Sequence, residues 1–177
     1  MASRENDTLL DVARIILILV QALMLIAAIA IIVAMPIIIL SQDTLLQEIR
    51  AEFGPDASLP LPVMLAMLAL SLLVVALAWL FLRNLRHIID TVGEGEPFVP
   101  ANADRLTNMA WLMLAIQGLS FGLSSFAFLA AQTLREPLVM GDVDIDLTGI
   151  VLVITLFILA RVFRQGTAMR DDLEGTV

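Results

Sequence analysis

Four long apolar runs constrain this chain more than any other feature of its sequence. They occupy residues 15–40, 61–82, 109–131 and 147–163. A bilayer hydrocarbon core about 30 Å thick is crossed by about 20 helical residues, and each run meets or approaches that length. The first exceeds what a perpendicular helix requires, so it is expected to tilt, with Pro36 kinking or ending it near its far end. The second follows Pro60, and Pro62 suits a first helical turn, where a missing N–H costs nothing. The fourth is the shortest and carries Arg161 near its end, where a long side chain can reach the headgroups. Composition closes off a soluble domain. Hydrophobic residues make up 60% of the chain and charged ones 16%, and the mean hydropathy is +0.96. One core built from 177 residues cannot hide that much apolar surface. The expected fold is all-α, an integral membrane four-helix bundle forming a single domain over residues 1–177.

Arginine counting orients the bundle. With four spans, Arg4, Arg14, Arg83, Arg86, Arg105, Arg161, Arg164 and Arg170 share one side, and only Arg50 and Arg135 lie on the other. Both termini and the segment 83–108 are therefore expected in the cytoplasm, with outer loops at 41–60 and 132–146. Trp79 and Trp111 sit at the cytoplasmic ends of their spans, at the interface that indoles prefer. The first residues, MASRENDTLLDVAR, lack the basic start and small-residue cleavage site of a secretory signal, so the first run reads as retained. In the first outer loop, Leu45, Leu46, Ile49 and Phe53 recur at helical spacing before Gly54-Pro55, which predicts a short interfacial helix. In the second, Asp142, Asp144 and Asp146 alternate with Val143, Ile145 and Leu147. The glycine and distal glutamate of a calcium-binding EF-hand loop are missing there, and a short strand-like segment accounts for the alternation more simply.

Several function classes are excluded or disfavoured. The chain has no cysteine, hence no disulfide framework, thiolate site or cysteine nucleophile. It has no lysine either, which removes Schiff-base and P-loop chemistry. A net charge of −8 opposes direct nucleic-acid binding. No span carries an aspartate, glutamate, histidine or lysine near its middle, so a proton-coupled exporter or an intramembrane protease is not expected. His87 is the only histidine and cannot make a metal site alone. Catalytic residues, metals and cofactors are thus expected to be absent: the protein reads as non-enzymatic. The polar residues of the spans look like packing devices. Gly118 and Gly122 form a GxxxG with Ser124 and Ser125 just beyond, which lets helix backbones approach closely. Their partner is either another helix of the same chain or a second copy in a homo-oligomer. Gln21 and Gln117 lie roughly 10 Å in from the cytoplasmic side at about 1.5 Å per residue, and are expected to face the bundle interior and bond to each other.

The segment RNLRHIIDTVGEGEPFVPANADRL has more local structure than a linker needs. Leu85, Ile88, Ile89 and Val92 make one apolar helical stripe, and Arg86 and Asp90 are spaced to pair. Gly93 and Gly95 release that helix, Pro97 cannot continue it, and Phe98 and Val99 are expected to tuck against the bundle or the membrane surface. Asn102 is placed to cap the next helix, with Asp104 in its first turn and Arg105 following. At the C-terminus Phe163, Arg164, Arg170 and Asp172 continue the fourth helix past the membrane. Val162, Gly166, Met169 and Leu173 lie on one face, and Arg170 and Glu174 are spaced to pair. The tail is expected to pack against segment 83–108 as a small cytoplasmic cap.

These two stretches also carry a resemblance. Leu85, Arg86, Ile89, Gly95, Pro97, Phe98, Asn102, Arg105 and Leu106, followed by Phe163, Arg164, Gly166 and Asp172, resemble the bacterial four-span membrane proteins of domain-of-unknown-function family 2975. The resemblance covers nearly the whole chain and implies a multi-pass protein of the bacterial cytoplasmic (inner) membrane. Members of that family are often encoded beside a small helix-turn-helix regulator, which implies a membrane partner that binds or sequesters a transcription factor; the family brings no catalytic residues. The leading expectation is a membrane interaction protein whose cap recruits a small soluble DNA-binding regulator. Acidic residues of the cap, among them Asp90, Glu94, Glu96, Asp104 and Asp172, would attract a basic partner. A transporter or channel-like subunit for a neutral or apolar compound, and a structural subunit of a membrane complex, are the alternatives.

Overall fold

The computed structural model describes residues 2–55, 61–134 and 146–174. Among them the chain forms five helices and no strand: α1 (Ala2–Leu40), α2 (Gln42–Phe53), α3 (Leu61–Gly93), α4 (Pro100–Leu134) and α5 (Leu147–Glu174). Four of these are long and apolar enough to cross a membrane, over Leu9–Leu40, Leu61–Gly93, Pro100–Phe126 and Leu147–Arg170. The protein is a multi-pass, all-helical membrane protein. The most exposed helix makes the case physically. Along α1, Leu19, Leu23, Ile26, Ile29, Ile32 and Ile37 are all more than half exposed. A helix apolar on every side belongs in hydrocarbon. Its less exposed positions form one narrow stripe through Leu17, Gln21, Met24, Ala28, Ile31 and Met35, at alternating steps of four and three.

One expectation about an element end needs correction. Pro36 does not end α1, which continues to Leu40; Ser41 then bonds back to the Ile37 carbonyl through both its N–H (2.9 Å) and its hydroxyl (2.6 Å). The segment 83–108 is mostly helix, as its apolar stripe and its Gly93–Gly95 release predicted. α3 continues eleven residues past Leu82 to Gly93, and α4 begins at Pro100, so the connecting turn is only residues 94–99. The short helix predicted between the first two spans is α2, released at Gly54 (φ +101°), whose N–H bonds the Arg50 carbonyl. Between the last two spans, Asp142 and Asp144 lie outside the described residues. Asp146 is the N-cap of α5, its Oδ1 accepting the Gly149 N–H at 3.1 Å.

The described residues divide into two compact units. The first takes in Met1–Met24, Leu77–Ile116 and Asp146–Val177. Its core is Ile88 of α3, Leu106, Met109 and Ala110 of α4, and Leu156 and Ala160 of α5, with Phe81, Leu85, Val92, Met113, Phe157 and Phe163 packed around it. On α5 the buried line runs through Gly149, Val153, Leu156, Ala160 and Thr167. Steps of four and three keep one seam of a helix facing its neighbours. Small residues at Ala103, Ala110 and Ala160 let the helices approach closely. Ile88 confirms the stripe predicted on α3, since it is buried between Leu85 and Val92.

The second unit comprises Leu25–Ala76 and Gln117–Ile145. No described residue of it is buried. Two of its helices come close at Gly122, where an added Cβ would lie 3.5 Å from Leu70 Cδ2. Gly118 has nothing described within 4 Å, so of the predicted GxxxG pair only Gly122 contacts a neighbouring helix. Ser124 and Ser125 bond their own helix at the Ser120 and Phe121 carbonyls, so neither hydroxyl acts between helices.

Candidate functional site

The first unit concentrates the chain's long-range polar contacts around the turn between α3 and α4. The turn is fixed at its start by a Schellman closure. The Glu96 N–H bonds the Thr91 carbonyl at 3.0 Å and the Gly95 N–H bonds the Val92 carbonyl at 3.1 Å. Gly95 takes the left-handed conformation this needs, φ +81°, and so ends the helix in the way its sequence suggested. Pro97 follows, and Pro100 opens α4 at a position where its missing N–H is harmless.

Asn102 sits two residues inside α4 and is fully buried. It is therefore not the helix cap that its sequence position predicted. Its side-chain amide turns back across the turn instead. Nδ2 donates to the Thr91 hydroxyl at 2.8 Å and to the Pro97 carbonyl at 2.9 Å, and Oδ1 accepts from Arg105 at 2.8 Å. The amide orientation follows from its partners, because a carbonyl can only accept and a guanidinium can only donate. Thr91 accepts from Asn102 while donating to the Ile88 carbonyl at 2.9 Å, and Arg105 also donates to the His87 carbonyl at 3.3 Å. No buried side-chain nitrogen or oxygen among the described residues lacks a partner. A fully satisfied network of this kind rigidifies the segment it crosses.

The tail of α5 closes over the same turn. The rings of Phe98 and Phe163 lie 5.4 Å apart at 43°. The Thr167 hydroxyl is within bonding distance of the Phe98 carbonyl (3.2 Å) and of its own helix at Phe163 (3.0 Å). Gly166 lies directly under the Phe98 ring, where an added Cβ would come within 2.6 Å of Cδ1. At the rim Arg164 faces Asp104 at 3.5 Å and Arg170 faces Glu96 at 3.7 Å, both pairs well exposed. The face of α5 that packs is thus Phe163, Gly166 and Thr167. The face predicted from spacing, Val162 and Met169 with Gly166, is only partly right, since Val162 and Met169 are exposed. The side chains of Leu173 and Glu174 lie outside the described residues.

Among the remaining candidates, Asp90 bonds Arg14 of α1, Oδ1 accepting from Nε at 3.0 Å and from the terminal nitrogen at 2.8 Å. The predicted Arg86–Asp90 pair does not form: Asp90 turns to Arg14 instead, and Arg86 is half-buried. Asp172 is exposed at the end of α5. Gln21 is buried in the first unit, as expected for an interior residue, while Gln117 is half-buried in the second. Sequence reasoning missed Arg14, Thr91 and Thr167. Thr167 could have been found, since it stands four residues after Phe163 beside Gly166, a hydroxyl on the line of small and apolar residues that α5 presents inward.

A shallow groove of about 360 Å³ also lies on this unit, lined by Leu80, Asn84, Asn108, Trp111, Leu112 and Ala115. Among the described residues no three of histidine, cysteine, aspartate and glutamate are grouped so as to hold a metal.

A search of curated proteins and one of solved structures each found no match. A family model does match, over residues 44–177, a stretch that takes in the second, third and fourth spans, the α3–α4 turn and the closing tail. The chain belongs to DUF2975, a family of proteins of unknown function.

Proposed function

We propose that this protein is a non-enzymatic membrane interaction protein in the inner membrane, with both termini and the α3–α4 turn in the cytoplasm, and that the turn and the α5 tail form a platform for a small soluble partner. One observation carries this reading. The turn is held from below by the buried Asn102 network and from the side by Phe98–Phe163, while its rim presents Glu94 to solvent beside the exposed Arg170–Glu96 and Arg164–Asp104 pairs. A rigid surface with exposed carboxylates suits a basic partner, because a preorganised surface loses little entropy on binding and opposite charge speeds the encounter. The partner class is a small helix-turn-helix regulator, the kind that the family resemblance implies, whose basic DNA-binding face would be occupied while docked.

The test is co-purification of the detergent-solubilised protein with the product of the neighbouring gene, and competition by DNA that this product binds. Glu94→Lys with Asp104→Lys reverses two exposed charges without entering the Asn102 network. Retention by the wild type, loss in the double variant and release by DNA are expected. Equal retention by both forms, or none by either, defeats the reading. Topology is tested separately. The chain has no cysteine, so Glu94→Cys and Gln47→Cys each supply a single thiol for a membrane-impermeant maleimide on intact cells. Labelling at residue 47 and protection at residue 94 is the expected pattern.

A further inference from the structure

We propose that the groove between α3 and α4 is a binding site for an anionic phospholipid. Its position favours a lipid before its chemistry does. The apolar run of α3 ends at Leu82 and the first charge is Arg83; on α4 the last charge is Arg105 and the apolar run starts at Met109. The groove lies across both boundaries, at the level where hydrocarbon gives way to headgroups. Its walls change in the same order. Leu80, Leu112, Ala115 and Trp111 are apolar, and Asn84 and Asn108 add two amides at the polar end.

Basic side chains crown that end. Arg83 and His87 fall on the same face of α3 as Leu80 and Asn84, at steps of three and four. Both are exposed, and neither side chain has an ion pair or hydrogen bond among the described residues. Arg105 stands three residues before Asn108 on α4, and its guanidinium reaches across to the His87 carbonyl at 3.3 Å. The nearby carboxylates are already engaged elsewhere, Asp90 by Arg14 and Asp104 by Arg164. Asn84 spends one N–H on the Leu80 carbonyl and keeps the other, and Asn108 is exposed. The Trp111 indole is held edge-on by Phe157 at 5.5 Å yet is 59% exposed, so one face is braced by protein and the other is open. An acyl chain fits the apolar length, ester oxygens fit the amide donors, and a phosphate fits the Arg83–His87–Arg105 end. A zwitterionic lipid would bring its own cation to the same place.

The inference requires only that the chain lies in a bilayer and does not depend on the docking platform. The experiment uses the full chain carrying Trp79→Phe, which leaves Trp111 as the sole indole, in phosphatidylcholine vesicles. Brominated phosphatidylglycerol or brominated phosphatidylcholine is added as the minor lipid at equal mole fraction. Phosphatidylglycerol is expected to quench Trp111 more strongly, with an apparent preference of about fivefold per arginine engaged, and Arg83→Gln with His87→Gln is expected to remove most of it. Equal quenching by the two lipids, or a preference untouched by the double variant, overturns the proposal. Native mass spectrometry of the unsubstituted protein in a mixture of the two lipids is the second readout. Retained phosphatidylglycerol that falls away in Arg83→Gln supports the site; indifferent retention counts against it.

Discussion

The two units draw on stretches of the same helices and are held by different forces. In the first, Asn102, Ala103, Met109 and Ala110 are at most 2% exposed, and polar side chains bond partners as distant in sequence as Arg14 and Asp90. In the second no described residue is buried, Leu40 and Phe121 stand 86% and 66% exposed, and Ser41, Ser124 and Ser125 bond back to their own helices. Lipid tails are as apolar as leucine, so apolar side chains in the bilayer have no hydrophobic reason to seek each other. The second unit can leave its surface to the bilayer. The first has a protein interior because it carries polar groups that lipid cannot satisfy.

Asn102→Asp should give the largest effect. The change removes both Nδ2 donors and places an oxygen against the Pro97 carbonyl at a fully buried position. The expected loss is about 3 kcal/mol, read by thermal or denaturant unfolding in mild detergent. Ser124→Ala in the second unit removes an exposed hydroxyl and should stay within about 0.5 kcal/mol. Similar losses for the two would erase the distinction between the units. Gly166 probes the same interior by volume. Gly166→Val pushes into the Phe98 ring and should cost about 2 kcal/mol, most of it recovered when Phe98→Ala is added, because two residues in contact do not act additively. The double variant would then keep its helices and lose only the clasp between turn and tail.

How much of this could be read beforehand depends on the range of the interaction. The four spans, α2 and the Gly95–Pro97 release were legible because periodicity, length and turn chemistry are local properties. The stripe through Ile88 was legible for the same reason. Asn102 was misread because asparagine before a helical stretch is a good cap in isolation. Pro100 started the helix two residues earlier and left the amide free to serve Thr91, Pro97 and Arg105. Arg86–Asp90 was a sound local pairing that lost to Arg14, seventy-six residues away from Asp90, and no spacing rule reaches that far. Val162 and Met169 were assigned inward on helical period alone. The observed seam instead follows Phe163 and Thr167, a choice made by the neighbours that the helix meets.

The Arg14–Asp90 pair should show a smaller effect. Both side chains are about a third or more exposed, so solvent screens the pair. A double-mutant cycle with Arg14→Gln and Asp90→Asn is expected to give a coupling of about 1 kcal/mol that shrinks in high salt. A coupling several times larger would mean that α1 is held to the first unit mainly through this contact, and the burial of Leu17 and Gln21 would then count for little.

The smallest effects belong to Gly118 and Gly122 of the second unit, where the contrast between protein and lipid surroundings is drawn most finely. At Gly122 an added Cβ meets Leu70 at an ordinary 3.5 Å, so the further carbons of Gly122→Ile must displace that leucine, at about 1 kcal/mol. At Gly118 nothing described lies within 4 Å, so Gly118→Ile should change stability by less than about 0.5 kcal/mol. Sedimentation in density-matched detergent separates the remaining possibilities. An unchanged mass for Gly118→Ile goes with a lipid-facing glycine, and α4 then uses only one residue of its GxxxG, within the chain. A fall in mass would show that a second copy packs on Gly118. The second unit would then have a protein neighbour after all, with small residues setting how closely it approaches.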